Sequence, residues 1–273
     1  MNAVNHWYKR TQSALAISLF LFCYSINANA EQANIAVASN FTHPMKALIN
    51  EFKKISNHQI KVSYGSSGKI YAQIKHGAPF QLFFSADQDK PLALYNEKKS
   101  LQKPFTYAFG ALALWSHNLE FKNQELQKLQ SGKFNKLSIA NPKLAPYGIA
   151  AMEVLENLKL LESTRQKWVQ GENISQTYQF VGTRNADLGF VALSQVINKS
   201  TYWQVPAALY QPIRQDAVLL KANTAAQSFL DFIASEQGQS IVKSFGYKTA
   251  NEFDLPENHS QENKQLTEPS PIQ

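Results

Sequence analysis

The stretch Gly65-Ser66-Ser67-Gly68-Lys69 sets two hydroxyls between glycines, after an extended apolar run and before a helical one. Glycine-rich turns that open helices bind anions because the first-turn N–H groups have no intrahelical acceptor and lie at the positive end of the helix dipole. A nucleotide P-loop needs four residues between its glycines and a Ser or Thr after the lysine. Here only Ser66 and Ser67 separate the glycines and Ile70 follows Lys69, so the nucleotide reading fails. What survives is a helix start whose N–H and O–H groups can serve an anion, or whose serines merely cap their own helix.

Three other junctions share this chemistry. Ser39 and Asn40 follow the run ending at Ala38, and both can cap or donate. Pro146 and Tyr147 open a helix, with proline suited to the first turn and outward N–H groups after it. Asn173 is a cap, which leaves the Ile174 amide exposed just inside it. Four such starts could converge on one anion, although each alone is an ordinary cap.

Enzyme constellations are poor by comparison. The chain has no G-x-S-x-G, no H-E-x-x-H and no paired-histidine spacing suited to zinc; His43, His58, His76 and His117 are scattered. A secreted serine hydrolase would need Ser67 as nucleophile and His43 or His76 as base, with no nucleophile motif behind it. Asp87 and Asp89 follow a strand end and read as a solvated helix-start pair before they read as metal ligands. Tyr64, Phe83, Trp115 and Phe190 fall in strand-like runs and read as core.

The elements that must position these residues alternate between short β-rich runs and helical periodicities, the pattern of an α/β protein. Strands are expected at Asn34–Ala38, Ile60–Tyr64, Gln81–Ser85, Ala111–Trp115, Lys136–Ala140, Leu188–Ala192 and Asp216–Leu220. Met45, Leu48, Ile49 and Phe52 have helical spacing, and helices are expected near Gly68–His76, Tyr147–Leu161, Ile174–Val181 and, as one long element, Thr224–Phe245.

The ends of the chain are of another kind. Lys9 and Arg10, the apolar run Ala14 to Phe22 and Ala28-Asn29-Ala30 form a cleavable export signal over 1–30, too short and too early for a membrane span. The expected location is therefore secreted or periplasmic. The one cysteine, Cys23, lies inside this segment, which removes disulfides, thiol catalysis and cysteine metal sites from the mature chain. Without Lys9 and Arg10 the 27 basic residues fall to 25 against 20 acidic, a balance of +5 with no long basic run. That suits mild attraction of anions and does not point to nucleic acid. The segment 254–273 is polar and proline-flanked, and a disordered tail is expected there.

Taken in order, "VASNFTHPMKALINEFKK", "YGSSGKIYAQIKHGAPFQLFFSADQDKP", "IANPKLAPYGIAAMEVLENL" and "ADLGFVALSQV" resemble the periplasmic molybdate-binding proteins of ABC importers, over about Asn34 to Gly246. The resemblance implies a type II, two-lobed periplasmic binding-protein fold, each lobe a mixed sheet flanked by helices, with the chain crossing between lobes twice. Lobe one would be 31–109 plus 212–253 and lobe two 110–211, with the oxyanion in the cleft. The family's ligand contacts carry over onto Ser39, Asn40, Ser67, Tyr147 and Ile174, with main-chain N–H groups from Tyr147 and Ile174 and side-chain donors from Asn40 and Ser67. Some members place a tyrosine hydroxyl on the ligand where this chain has Ala192. The implied ligand is molybdate or tungstate, with sulfate or another tetrahedral oxyanion as the alternative. The implied partner is a membrane permease. The protein would be a non-catalytic monomer without a cofactor, and a repurposed sensor module is the remaining reading.

Overall fold

Two mixed five-stranded sheets organise the chain. The computed structural model describes residues 30–249; the expected leader, apart from Ala30, and the expected tail over 254–273 lie outside the described residues. The strands in chain order are β1 Gln32–Ala38, β2 Gln59–Gly65, β3 Leu82–Phe84, β4 Phe105–Gly110, β5 Leu112–Trp115, β6 Leu137–Ala140, β7 Trp168–Gly171, β8 Leu188–Ala192, β9 Tyr202–Gln204 and β10 Ile213–Leu219. The first sheet runs β2-β1-β3-β10-β4 and the second β7-β6-β8-β5-β9. Three strands in each are parallel, β1 to β3 in the first and β6 to β8 in the second, and the strand that enters from the other sheet, β10 or β5, pairs antiparallel with both its neighbours. That division follows from connection length, since parallel neighbours need a crossover of a dozen or more residues.

The longer helices are α1 Thr42–Ile55, α2 Ser67–Lys75, α3 Asp89–Asn96, α4 Glu125–Ser131, α5 Pro146–Asn157, α6 Ile174–Gly182, α7 Thr224–Ala234 and α8 Glu236–Ser244. Alternation along β1 sends Ile35 and Val37 to one face of the first sheet, where they join Met45, Leu48 and Phe52 of α1 and Phe229 and Ile233 of α7, while Ala36 joins Ile70, Ile74 and Phe83 on the other. Phe52 and Phe229 meet edge to face with ring centroids 5.1 Å apart. In the second sheet Leu112, Leu137, Ile139, Leu188 and Phe190 pack on Val154 and Leu155 of α5, and Ala113, Trp115 and Val191 on Val181 of α6. Each Val, Leu, Ile, Met or Phe side chain among these, taken fully out of water, contributes about 1.5–3 kcal/mol. Phe83, Trp115 and Phe190 are core as expected; Tyr64 is instead 38% exposed, on the surface beside the cleft.

Two expectations about helices need correction. The element expected as one helix over Thr224–Phe245 is two, because Ser235 takes extended backbone (φ −67°, ψ 162°) and its hydroxyl accepts from Gly238 N–H, starting α8 afresh. The helix expected to reach Leu161 ends at Asn157, where Lys159 turns the chain with φ 58°. Strands β4, β7 and β9 carry no clear alternation in sequence and were not expected.

Candidate functional site

The four helix or turn starts singled out in sequence lie together. Ala38, Ser39 and Asn40 after β1, Gly65, Ser66 and Ser67 after β2, Ala86 after β3, Ala145, Pro146 and Tyr147 at α5, and Asn173 and Ile174 at α6 surround one cavity with about 190 Å³ of atom-free space, mouth included. Every sequence-predicted residue is buried: Ser39, Asn40, Ser67, Tyr147 and Ile174 are each no more than 5% exposed.

Local chemistry decides which donors remain free. At α6 the Asn173 side chain accepts from Ser175 N–H and Gln176 N–H at 3.0 Å, which leaves the Ile174 N–H without an acceptor among the described residues. At α5 Pro146 has no N–H, and Gly148 and Ile149 both donate to Ala145 O, so the Tyr147 N–H is the one left over. At α2 Gly68 donates to Leu144 O at 2.9 Å and Ile70 to Ser66 O, which leaves the Ser67 and Lys69 N–H groups without an acceptor among the described residues, and of these two residues Ser67 lines the cavity. The Ser67 hydroxyl accepts from Ala86 N–H at 2.9 Å, so its own proton is the part available to a ligand. Among the described residues no charged side chain lines the cavity. Three helix N-termini and neutral donors therefore supply its local attraction for negative charge.

Asn40 plays a different part from the free side-chain donor expected of it. Its amide nitrogen donates to Gln215 Oε1 at 2.8 Å and to the Tyr247 hydroxyl at 3.0 Å, which commits both amide hydrogens to the protein. These bonds belong to a buried network beneath the cavity. The Tyr107 hydroxyl donates to Gln215 Oε1 at 2.9 Å, Gln215 Nε2 donates to the Tyr147 hydroxyl at 3.2 Å, and Asn40 O accepts from Ser194 Oγ and the Tyr247 hydroxyl. A bulge between Gln215 and Asp216 on β10 lets both neighbours be buried, Gln215 into this network and Asp216 onto Thr106. Burial pushes the Tyr107, Tyr147 and Tyr247 hydroxyls up, Tyr107 and Tyr147 well above the ordinary tyrosine range, so all three stay neutral donors and acceptors. Gly110 lies against the same network, where an added Cβ would overlap the Tyr147 hydroxyl.

Elements of the two sheets also bond to each other beside the cavity. Gly68 N–H donates to Leu144 O, Ser175 Oγ to Ser39 O at 3.0 Å, and Lys69 Nζ lies 3.0 Å from both carboxylate oxygens of Glu172. Lys69, which resembled a phosphate ligand, is thus paired across the cleft. Neither His43 nor His76 lines the cavity that holds Ser67, and Asp87 accepts from Lys90 N–H and Ser85 Oγ as a helix-start residue. Among the described residues no cluster of three metal-ligating side chains occurs. Ala192 donates its N–H to Gln195 and does not line the cavity. Sequence reasoning missed Gln215, Tyr247 and Ser194, and it left Ser66 open between a cap and an anion donor without naming it among the ligand contacts.

Residues 33–248 match the family model described as bacterial extracellular solute-binding protein. The chain belongs to that family. This solute-binding protein is 43% identical over 244 residues to the molybdate-binding protein ModA of Azotobacter vinelandii, covering 86% of this chain and 97% of the relative, and 41% identical over 243 residues to that of Rhodobacter capsulatus, covering 87% and 95%. Its fold superposes on the Azotobacter vinelandii periplasmic molybdate-binding protein with a TM-score of 0.76 at 35% identity, over 79% of this chain and 98% of that one. The two mixed sheets of the solute-binding protein are those of a type II, two-lobed periplasmic binding protein.

Proposed function

We propose that this protein is a periplasmic receptor that captures molybdate, with tungstate as its close competitor, and delivers it to the permease of an ABC importer. Ser39, Asn40, Ser67, Tyr147 and Ile174 are the proposed contacts: N–H groups of Ser67, Tyr147 and Ile174, the Ser67 hydroxyl, and the main chain of the Ser39-Asn40 turn. The single observation that carries this reading is the convergence of unpaired N–H groups on one uncharged cavity. The similarity to molybdate-binding proteins supports the choice of ion.

A deprotonated tetrahedral oxyanion presents only acceptors, and charge-assisted hydrogen bonds spread its charge over neutral donors without a counter-ion. A protonated phosphate would bring a donor against donors and lose a bond in a buried site. Sulfate must be rejected by size. Lobe one is taken as 31–109 plus 212–253 and lobe two as 110–211, an assignment that sheet membership supports within the described residues. Closure of the lobes traps the ion and presents the closed surface to the permease. The chain acts without chemistry on its ligand, as a monomer.

Calorimetry on the mature chain tests this. Saturable molybdate and tungstate binding with sulfate much weaker is the expected result; equal binding of molybdate and sulfate, or none, overturns it. Ser67→Ala should weaken molybdate binding without creating or abolishing ester turnover.

A further inference from the structure

Ser66 is the N-cap of α2 and has the extended backbone (φ −73°, ψ 146°) from which a serine hydroxyl ordinarily accepts from the first turn. It makes no such bond. Among the described residues Ser66 Oγ has no hydrogen-bond partner although the residue is only 2% exposed, and an unpaired buried hydroxyl carries its full desolvation cost. The residue lines the same cavity as the free N–H groups of Ser67, Tyr147 and Ile174, whereas the two other residues with an unpaired buried side-chain atom among those described, Glu125 and Ser138, do not. Its neighbour is satisfied on one side: Ser67 Oγ already accepts from Ala86 N–H.

We infer that Ser66 Oγ donates a hydrogen bond directly to the bound oxyanion, so that the Gly65–Gly68 turn holds it with two hydroxyls and one amide. The inference rests on the oxyanion-receptor reading and adds a residue to the proposed contacts. It also explains why the turn carries two adjacent serines when capping would need at most one. The helix start gives up its side-chain cap and holds a donor in reserve for the ligand.

The test compares wild-type protein and Ser66→Ala by molybdate calorimetry and by thermal unfolding without molybdate. A hydrogen bond to a charged group lost from a buried site should raise Kd about tenfold or more. Ligand-free Tm should stay the same or rise, because alanine removes an unpaired hydroxyl. A Kd within twofold of wild type overturns the inference. So does a lower ligand-free Tm accompanying the affinity loss, which would make Ser66 a structural cap. If wild type itself takes up no molybdate, the receptor reading falls and this inference with it; wild-type binding with unaffected Ser66→Ala removes the inference alone.

Discussion

The floor and the cavity of the cleft are built from the same kinds of group and treat them oppositely. In the floor Asn40, Tyr107, Tyr147, Ser194, Gln215 and Tyr247 satisfy one another. At the cavity, the N–H groups of Ser67, Tyr147 and Ile174 and the Ser66 hydroxyl find no partner among the described residues. Tyr147 belongs to both: its hydroxyl is bonded below and its amide is free above. A satisfied buried network rigidifies a structure, while unsatisfied buried donors lower its stability until something binds. The floor should therefore answer to mutation as stability and the cavity as affinity.

The largest expected effect breaks the floor. Gln215→Ala removes one hydrogen bond each from Asn40, Tyr107 and Tyr147, while Asn40 keeps the Tyr247 hydroxyl and Tyr107 keeps Ser85 O, and each lost bond costs about 0.5–1.5 kcal/mol. Urea unfolding should show a loss of about 2–4 kcal/mol. Unchanged stability with abolished molybdate binding would make Gln215 a ligand contact and erase the distinction.

A pH titration probes the same floor without mutation. Tyr107, Tyr147 and Tyr247 have raised values in the folded chain and ordinary ones, about 10, when unfolded. Above pH 10 the unfolded state therefore holds fewer protons than the native state, and stability falls as pH rises. The slope approaches about 1.4 kcal/mol per pH unit for each tyrosine, and below pH 9 these groups contribute no slope. Thermal unfolding between pH 6 and 11 measures this; a stability that holds flat to pH 11 would mean the hydroxyls ionise freely and are not buried in a closed network.

How much of this contrast sequence disclosed depends on the reach of the interactions. Capping is local, so Asn173 with its free Ile174 amide, and Pro146 before Tyr147, were legible from neighbouring residues. The floor was not: Asn40 and Gln215 are 175 residues apart, and Asn40 and Tyr247 are 207 apart. Nothing near Asn40 signals that its amide is already engaged, which is why it read as a free donor. The bulge that brings in Gln215 has no sequence mark, and a serine cap at 235 was hidden inside an unbroken apolar periodicity.

Gly68 separates cavity from stability in the opposite direction. A Cβ there would sit 3.1 Å from Leu144 Cα and O, at the point where the sheets approach through the Gly68 N–H to Leu144 O bond. Gly68→Ala favours helix α2 by up to about 1 kcal/mol through backbone entropy, yet it wedges the cleft. The expectation is a ligand-free Tm equal to or above wild type with molybdate affinity about tenfold lower. Calorimetry and thermal unfolding on the same samples decide this, and a parallel fall in both would show that the approach at Gly68 supports the fold itself.

The smallest effect belongs to the pair at the rim. Lys69 and Glu172 join the two sides of the cleft, but their side chains are 52% and 42% exposed. Exposed pairs contribute about 0–1 kcal/mol and are screened by salt. Glu172→Gln should therefore weaken molybdate binding by at most about fivefold at low ionic strength, and the difference should vanish near 1 M salt, where the Debye length is about 3 Å. Losing the pair also frees Lys69 to attract the incoming anion, an opposing contribution that raises the association rate as dissociation quickens. Stopped-flow rates across a salt series separate the two. A large, salt-insensitive loss of affinity would place Glu172 inside the closed site, and the rim would then belong to the cavity after all.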